Sequence, residues 1–213
     1  MRLVALTALL LFAPAALPPA LAQDTAGRFD YYVLSLSWSP SWCRAEGEAE
    51  DAGQCEPGRR LGFVVHGLWP QYERGWPENC RTDARDPSRR ETRAMAEVMG
   101  SGGLAWYQWQ KHGRCSGLPA RDYFALTRKA AARIALPEPL RRLDRDVNLP
   151  AQVVEDAFIE ANPDLTRDAI TVTCRERSLQ EVRICLTPAL EPRACAADIR
   201  RDCQGSFLMP APR

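Results

Sequence analysis

The sequence predicts an α+β domain in which helices flank an antiparallel β-sheet and disulfides staple the whole. Three observations carry this expectation. Segments rich in aromatic and β-branched residues lie toward both ends of the chain, with helical periodicity between them, an order that favours an antiparallel sheet over alternating βαβ units. The cysteines are even in number, eight in 213 residues, and they follow an export-type leader, which implies four bridges formed in an oxidising compartment. The length remaining after that leader suits one domain with a sizeable core and hardly two.

The leader is residues 1–22. Arg2 precedes an apolar run, and Ala20 and Ala22 stand in the A-x-A spacing of a cleavage site, so cleavage is expected after Ala22 and residues 23–213 form the mature domain. Pro14, Pro18 and Pro19 interrupt the run, which is shorter than the ~20 residues that cross a bilayer. A periplasmic or secreted protein without a membrane anchor is expected.

Residues 29–38 (FDYYVLSLSW) and 61–66 (LGFVVH) read as strands. The polar segment 39–60 between them carries Cys43 and Cys55 and reads as a loop stapled on itself. Residues 91–99, 104–112, 122–135 and 151–161 read as helices, with Asp122 as an N-cap, Asn162-Pro163 as a stop, and the segment 100–103 breaking the first two apart. Residues 169–174 and 180–186 alternate around the polar turn 175–178 and form a hairpin. From Thr187 the chain is proline-rich and irregular, held by Cys195 and Cys203.

Charge and ligand chemistry narrow the function. The formal charge is +1, and it falls to zero once Arg2 is removed with the leader. A neutral chain exerts no global pull on polyanions, so any nucleic-acid contact must come from local geometry. The arginines at 85, 89, 90 and 93 are interleaved with Asp86 and Glu91 and read as a solvated face. No C-x-x-C pair exists and the chain has only two histidines, so neither a metal site nor a cofactor is implied.

Those two histidines are the decisive residues. His66 lies in FVVHGLWPQY and His112 in WYQWQKHGRCSG. A lone histidine in a globular domain is more often structural than catalytic, but two in such dense contexts suit metal-free cleavage of RNA. One ring withdraws the ribose 2′-hydroxyl proton as that oxygen attacks phosphorus, and the other protonates the departing 5′-oxygen, leaving a 2′,3′-cyclic phosphate. The residues alone leave open which ring is the acid and which the base. Charge gathers on the phosphorane, so a fixed cation beside it stabilises the transition state, and Lys111 is the natural choice. Gln108, Lys111 and His112 share one part of a helix surface, whereas Trp106 and Trp109 are expected to anchor the core. Cys115 invites a thiol-nucleophile reading, but the even cysteine count favours a disulfide.

FVVHGLWPQY followed by WQKHGRC, their histidines 46 residues apart, resembles the two active-site segments of the ribonuclease T2 family of secreted, largely base-nonspecific endoribonucleases. The resemblance extends to the early WSPSWC stretch and the C-terminal cysteines. It implies single-stranded RNA as the substrate, His112 as general base, His66 as general acid, Lys111 as phosphorane stabiliser, and a monomer. It further implies a base pocket of Trp69, Gln71, Tyr72 and Trp76, and bridges Cys80–Cys115, Cys185–Cys195, Cys174–Cys203 and Cys43–Cys55. Two positions depart from the family's usual His-Glu: Tyr107, whose hydroxyl can donate to phosphate, and Gln108, whose amide donates at any pH. With no carboxylate at Gln108, a pH optimum nearer 7 than the family's acidic range is expected, with Gln108→Glu returning it toward acid.

Overall fold

The computed structural model describes residues 24–48 and 52–212. The expected leader and its cleavage site lie outside the described residues. Strand β1 (Tyr31–Trp38) runs between β2 (Phe63–Gln71) and, further along the chain, β5 (Ser178–Leu186), antiparallel to both. The hairpin partner of β5 is β4 (Ile170–Arg175), joined to it through Glu176 and Arg177, both at positive φ, as a tight two-residue turn requires. Two four-residue strands absent from the sequence reading, β3 (Val147–Pro150) and β6 (Ser206–Met209), pair with each other, and β6 meets β5 at Ser178.

β1 is buried on both faces, and its alternation divides the sheet. Tyr32, Leu34, Leu36 and Trp38 join the large core beneath the helices, while Tyr31 and Val33 join a smaller cluster with Cys185, Cys195 and Ile199. Ser35 and Ser37 continue that second face. One half of the face is thus covered by the C-terminal arm and the other half is floored by small polar side chains.

Segment 39–60 is more regular than a stapled loop. Helix α1 (Ser39–Trp42) continues straight from β1, followed by a π-helical turn (Cys43–Gly47) and a 3-10 turn (Gly53–Cys55). The helix expected over 91–99 is two helices, α2 (Arg89–Ala94) and α3 (Ala96–Met99). It starts earlier than expected because Ser88 and Glu91 form a capping box. Gly100 at φ 82° closes α3 and Ser101 caps α4 (Gly102–Lys111). Helix α5 (Ala120–Arg133) begins after Pro119, so Asp122 is not the N-cap; it lies in the first turn, where its charge favours the helix dipole. After the short α6 (Glu138–Arg141), α7 spans Ala151–Ala161 as expected. Its Val154 and Phe158 are fully buried, each worth roughly 1.5–3 kcal/mol of apolar burial.

Among the described residues no helix is long and apolar enough to cross a membrane. Four disulfides join Cys43–Cys55, Cys80–Cys115, Cys174–Cys203 and Cys185–Cys195, each contributing about 2–4 kcal/mol. Cys115 is therefore bridged and is no nucleophile.

Trp106 is 42% exposed and does not anchor the core. The buried residues of α4 are Ala105, Gln108 and Trp109, at the i, i+3, i+4 spacing of one helical face, which turns positions 106 and 107 outward. Trp109 anchors alone, its indole N–H donating to Asp86 at 2.8 Å. Gly113 lies against this anchor: a Cβ there would stand 2.7 Å from Trp109 and 2.8 Å from Tyr123. Gly113→Ala should therefore destabilise the fold by about 1–3 kcal/mol through overpacking. The check is the urea midpoint with disulfides intact; an unchanged midpoint refutes the steric account.

Candidate active site

The pairing of β1 with β2 slips between Ser35, opposite Gly67, and Leu36, opposite Val65. His66 is the extra residue of this β-bulge, a device that re-aims a side chain. Its ring reaches the face bearing Ser35 and Ser37, where Nδ1 bonds Oε1 of Glu181, two strands away on β5. Glu181 is 2% exposed, and its other oxygen accepts from Arg183 Nε at 2.8 Å. Burial pushes the Glu181 carboxyl up, but His66 and Arg183 outweigh it and hold the group at about 2. Neither Glu181 nor Arg183 was singled out from the sequence, where both are members of an alternating strand.

His112 arrives from the opposite direction. It is the C-cap of α4, its backbone N–H donating to the Gln108 carbonyl at 2.9 Å. Trp69 stands between the two imidazoles, its ring centroid 5.3 Å from His66 and 5.2 Å from His112. Its indole N–H donates to Gln108 Oε1 at 2.7 Å, and the Arg183 guanidinium lies 5.4 Å from its ring centroid. Gly67 is required beneath this bond, since a Cβ there would stand 2.3 Å from Trp69 Nε1 and 2.5 Å from Gln108 Oε1. His66, Gly67 and Trp69 of HGLWP thus serve as bulge, close pass and spacer, and Leu68 faces the core.

The two rings occupy different environments. His112 is 7% exposed, and its Nδ1 has no protein hydrogen-bond partner among the described residues. Burial, with smaller contributions from the Lys111 and His66 charges, pushes His112 down to about 3 against the pull of Glu181. His66 is half-buried and opens onto a cleft of about 320 Å³, which it shares with Ser37, Trp42, Leu104, Leu179 and Glu181. The stapled segment after β1, the first turn of α4 and the β4–β5 hairpin wall this cleft, and His112 and Lys111 lie outside its lining.

Lys111, the last residue of α4, places Nζ 3.7 Å from Glu78 and 6.0 Å from the Tyr107 ring centroid. The indole N–H of Trp76 reaches Glu78 at 3.4 Å, so Trp76, Glu78, Lys111 and Tyr107 form one exposed strip. The Cys80–Cys115 bridge and the Asn79 N–H, donating to the Lys111 carbonyl at 2.8 Å, fasten it to the end of α4. Tyr72 sits apart, its hydroxyl donating to Asp24 at 3.2 Å. Gln71 is buried: its amide N donates to the neighbouring Pro70 carbonyl and its amide oxygen is enclosed. It therefore offers no side-chain atom to a base, and the expected pocket loses that member. Among the described residues no group of three or more His, Cys, Asp or Glu side chains is arranged to hold a metal ion.

Over 105 residues the chain is 45% identical to a ribonuclease of Aeromonas hydrophila, an alignment covering 49% of this chain and 46% of that one. The chain spans about half the length of curated relatives such as this one. Its fold is similar to that of an RNase-related protein from Calystegia sepium, with a TM-score of 0.69 at 20% identity over 87% of this chain and 98% of the other. It is also similar to RNase NT in complex with 5′-AMP, with a TM-score of 0.67 at 21% identity over 86% and 99%. Residues 29–195, which take in β1 to β5 and both histidines, match the Ribonuclease T2 family, and the chain belongs to that family.

Proposed function

We propose that this chain is an endoribonuclease that cleaves single-stranded RNA with low base specificity, without metal or cofactor, by transphosphorylation to 2′,3′-cyclic phosphate ends. The observation that carries the reading is the unlike setting of two imidazoles against one indole: His112 buried beside a lysine, His66 open to a cleft and backed by a carboxylate. Paired titratable groups in contrasting environments are the mark of a base and an acid.

Burial keeps His112 neutral at ambient pH, so it serves as the general base, taking the 2′-hydroxyl proton as that oxygen attacks phosphorus. His66 is the general acid and gives its proton to the 5′-oxygen as the P–O5′ bond breaks. Lys111 offsets charge on the phosphorane. An indole N–H only donates, so the Gln108 atom bonded to Trp69 is the amide oxygen. That leaves the amide N–H₂ group of Gln108 as a donor to the phosphorane. Trp69, Tyr72, Trp76 and Tyr107 supply surfaces on which any base can stack, at roughly 1–3 kcal/mol each. Export by the leader to a periplasmic or extracellular location fits the four disulfides, and the enzyme acts as a monomer.

Replacing His66 or His112 by Ala should each lower kcat by roughly 10²–10⁴ with the fold intact. A variant that keeps more than about half the parent rate with native circular dichroism removes that histidine from the mechanism.

The chain's own side chains cover every proton and charge task, so excess chelator should leave the rate unchanged, and single-stranded DNA, lacking the attacking hydroxyl, should resist cleavage. Mass spectrometry of an RNA digest should find cyclic phosphate ends. Metal-restored turnover, or DNA cleavage at a comparable rate, overturns the mechanism.

The burial of His112 favours a more acid optimum than the near-neutral one expected from sequence. A general base must be unprotonated, and a base whose pKa is depressed to about 3 stays competent far into acid. The acid limb of kcat/KM should therefore lie well below the ~6.5 of a free imidazole. Gln108→Glu would place a carboxylate beside His112, favour its protonated form and move that limb toward alkali, the reverse of the shift expected from sequence. Profiles of parent and variant on one dinucleotide at fixed salt decide; a variant limb moved toward acid, or superimposed on the parent's, refutes the coupling.

A further inference from the structure

The bulge that exposes His66 also deprives it of a place in the strand ladder, so its aim must be set by something else. The ring is held by its Nδ1 contact with Glu181, made across Ser37, the small residue of β1 that pairs with Glu181 in the ladder. Glu181 is itself over-determined. It is buried, one oxygen faces His66, and the other takes two contacts from Arg183, at 2.8 Å from Nε and 2.7 Å from the terminal nitrogen. Arg183 in turn lies over the Trp69 indole that separates the two catalytic rings.

Nothing in the sheet asks for this ion pair. Its ladder partners on the same face, Ser35, Ser37, Thr171 and Thr173, are small and uncharged, and a buried pair of charges is weak support for stability compared with an apolar pair of similar volume. Its consequence for His66 is specific. An ionised carboxylate only accepts hydrogen bonds, so Nδ1 must carry a hydrogen. Nε2 is left as the nitrogen that exchanges a proton with anything bound in the cleft.

We infer that Glu181, clamped by Arg183, is the positioning residue of His66: it fixes the imidazole as the Nδ1–H form and aims Nε2 at the leaving oxygen. The inference rests on the proposed role of His66 as general acid. In that step the Nε2 proton passes to the 5′-oxygen as the P–O5′ bond breaks, and the Nδ1–H bond to Glu181 persists through the transfer. The ring returns neutral in the one form that can be recharged at Nε2 without turning over. Glu181 touches no reacting atom; it acts through His66, as a buried carboxylate orients imidazole in other acid–base sites.

The test is ¹⁵N NMR of the ring nitrogens in the full chain, with His112→Ala assigning the two histidines, at a pH where both rings are neutral. His66 should be predominantly the Nδ1–H form in the parent and predominantly the Nε2–H form in Glu181→Leu. In the same Glu181→Leu variant kcat should fall about 10²-fold while KM stays within about 2-fold. Glu181→Gln retains an acceptor oxygen and should keep the Nδ1–H form and lose less kcat than the leucine variant. A parent already in the Nε2–H form overturns the inference even if Glu181→Leu fails to fold. So does a natively folded Glu181→Leu that keeps kcat within about 2-fold, or a glutamine variant slower than the leucine variant. Full activity in His66→Ala, by contrast, removes the acid role itself, whatever the tautomer measured.

Discussion

The end of α4 meets the middle of β2 at a separation that only hydrogen at position 67 permits, and the working geometry depends on that approach. The Trp69–Gln108 hydrogen bond lies directly over Gly67, and it fixes the indole against which both imidazoles pack. One contact therefore sets three things together: where the helix ends, how deeply His112 is buried, and how far apart the two rings stand. Gly113 does the equivalent on the helix side, admitting Trp109 and Tyr123 where any side chain would displace them. Each glycine is fixed by a neighbour's atoms, with no left-handed backbone involved at either position.

The sheet lends itself to this because β1 is two strands in one. Its first half presents Tyr31 and Val33 to the disulfide-tied arm, and its second half presents Ser35 and Ser37 to the site. A fully apolar strand would pack better but would leave no floor over which His66 could reach Glu181. The bulge supplies the remaining degree of freedom, turning one residue of β2 out of register while Val65 and Leu68 on either side stay in the core.

Much of this was legible in the sequence, and the remainder was not for identifiable reasons. Helix α7 and strand β1 were readable because their periodicity persists over many residues. β3 and β6, written VNLP and SFLM, are too short to show a period and are strands only because they pair with each other. Trp106 was misassigned because two tryptophans three apart on a helix look alike until its buried face is known. Asp122 was misassigned because Pro119, three residues earlier, already takes the N-cap position. The histidines and Lys111 stood out by their dense local pattern. Glu181 did not, because what distinguishes it is the register of β5 against β1 and the slip of β2, neither of which is written in any one segment.

The bridge from Cys80 to Cys115 carries a consequence for when the molecule becomes complete. The sheet carries bridges of its own, from Cys174 on β4 to Cys203 and from Cys185 on β5 to Cys195. The outer wall of the site, with Trp76, Glu78 and the chain beside Lys111, is covalently tied to the end of α4 only through that bond. Fold and site thus draw on the same oxidation chemistry. Apolar burial is driven by water, whereas the clasp on the site's outer wall, like the bridges of the sheet, needs an electron acceptor to form.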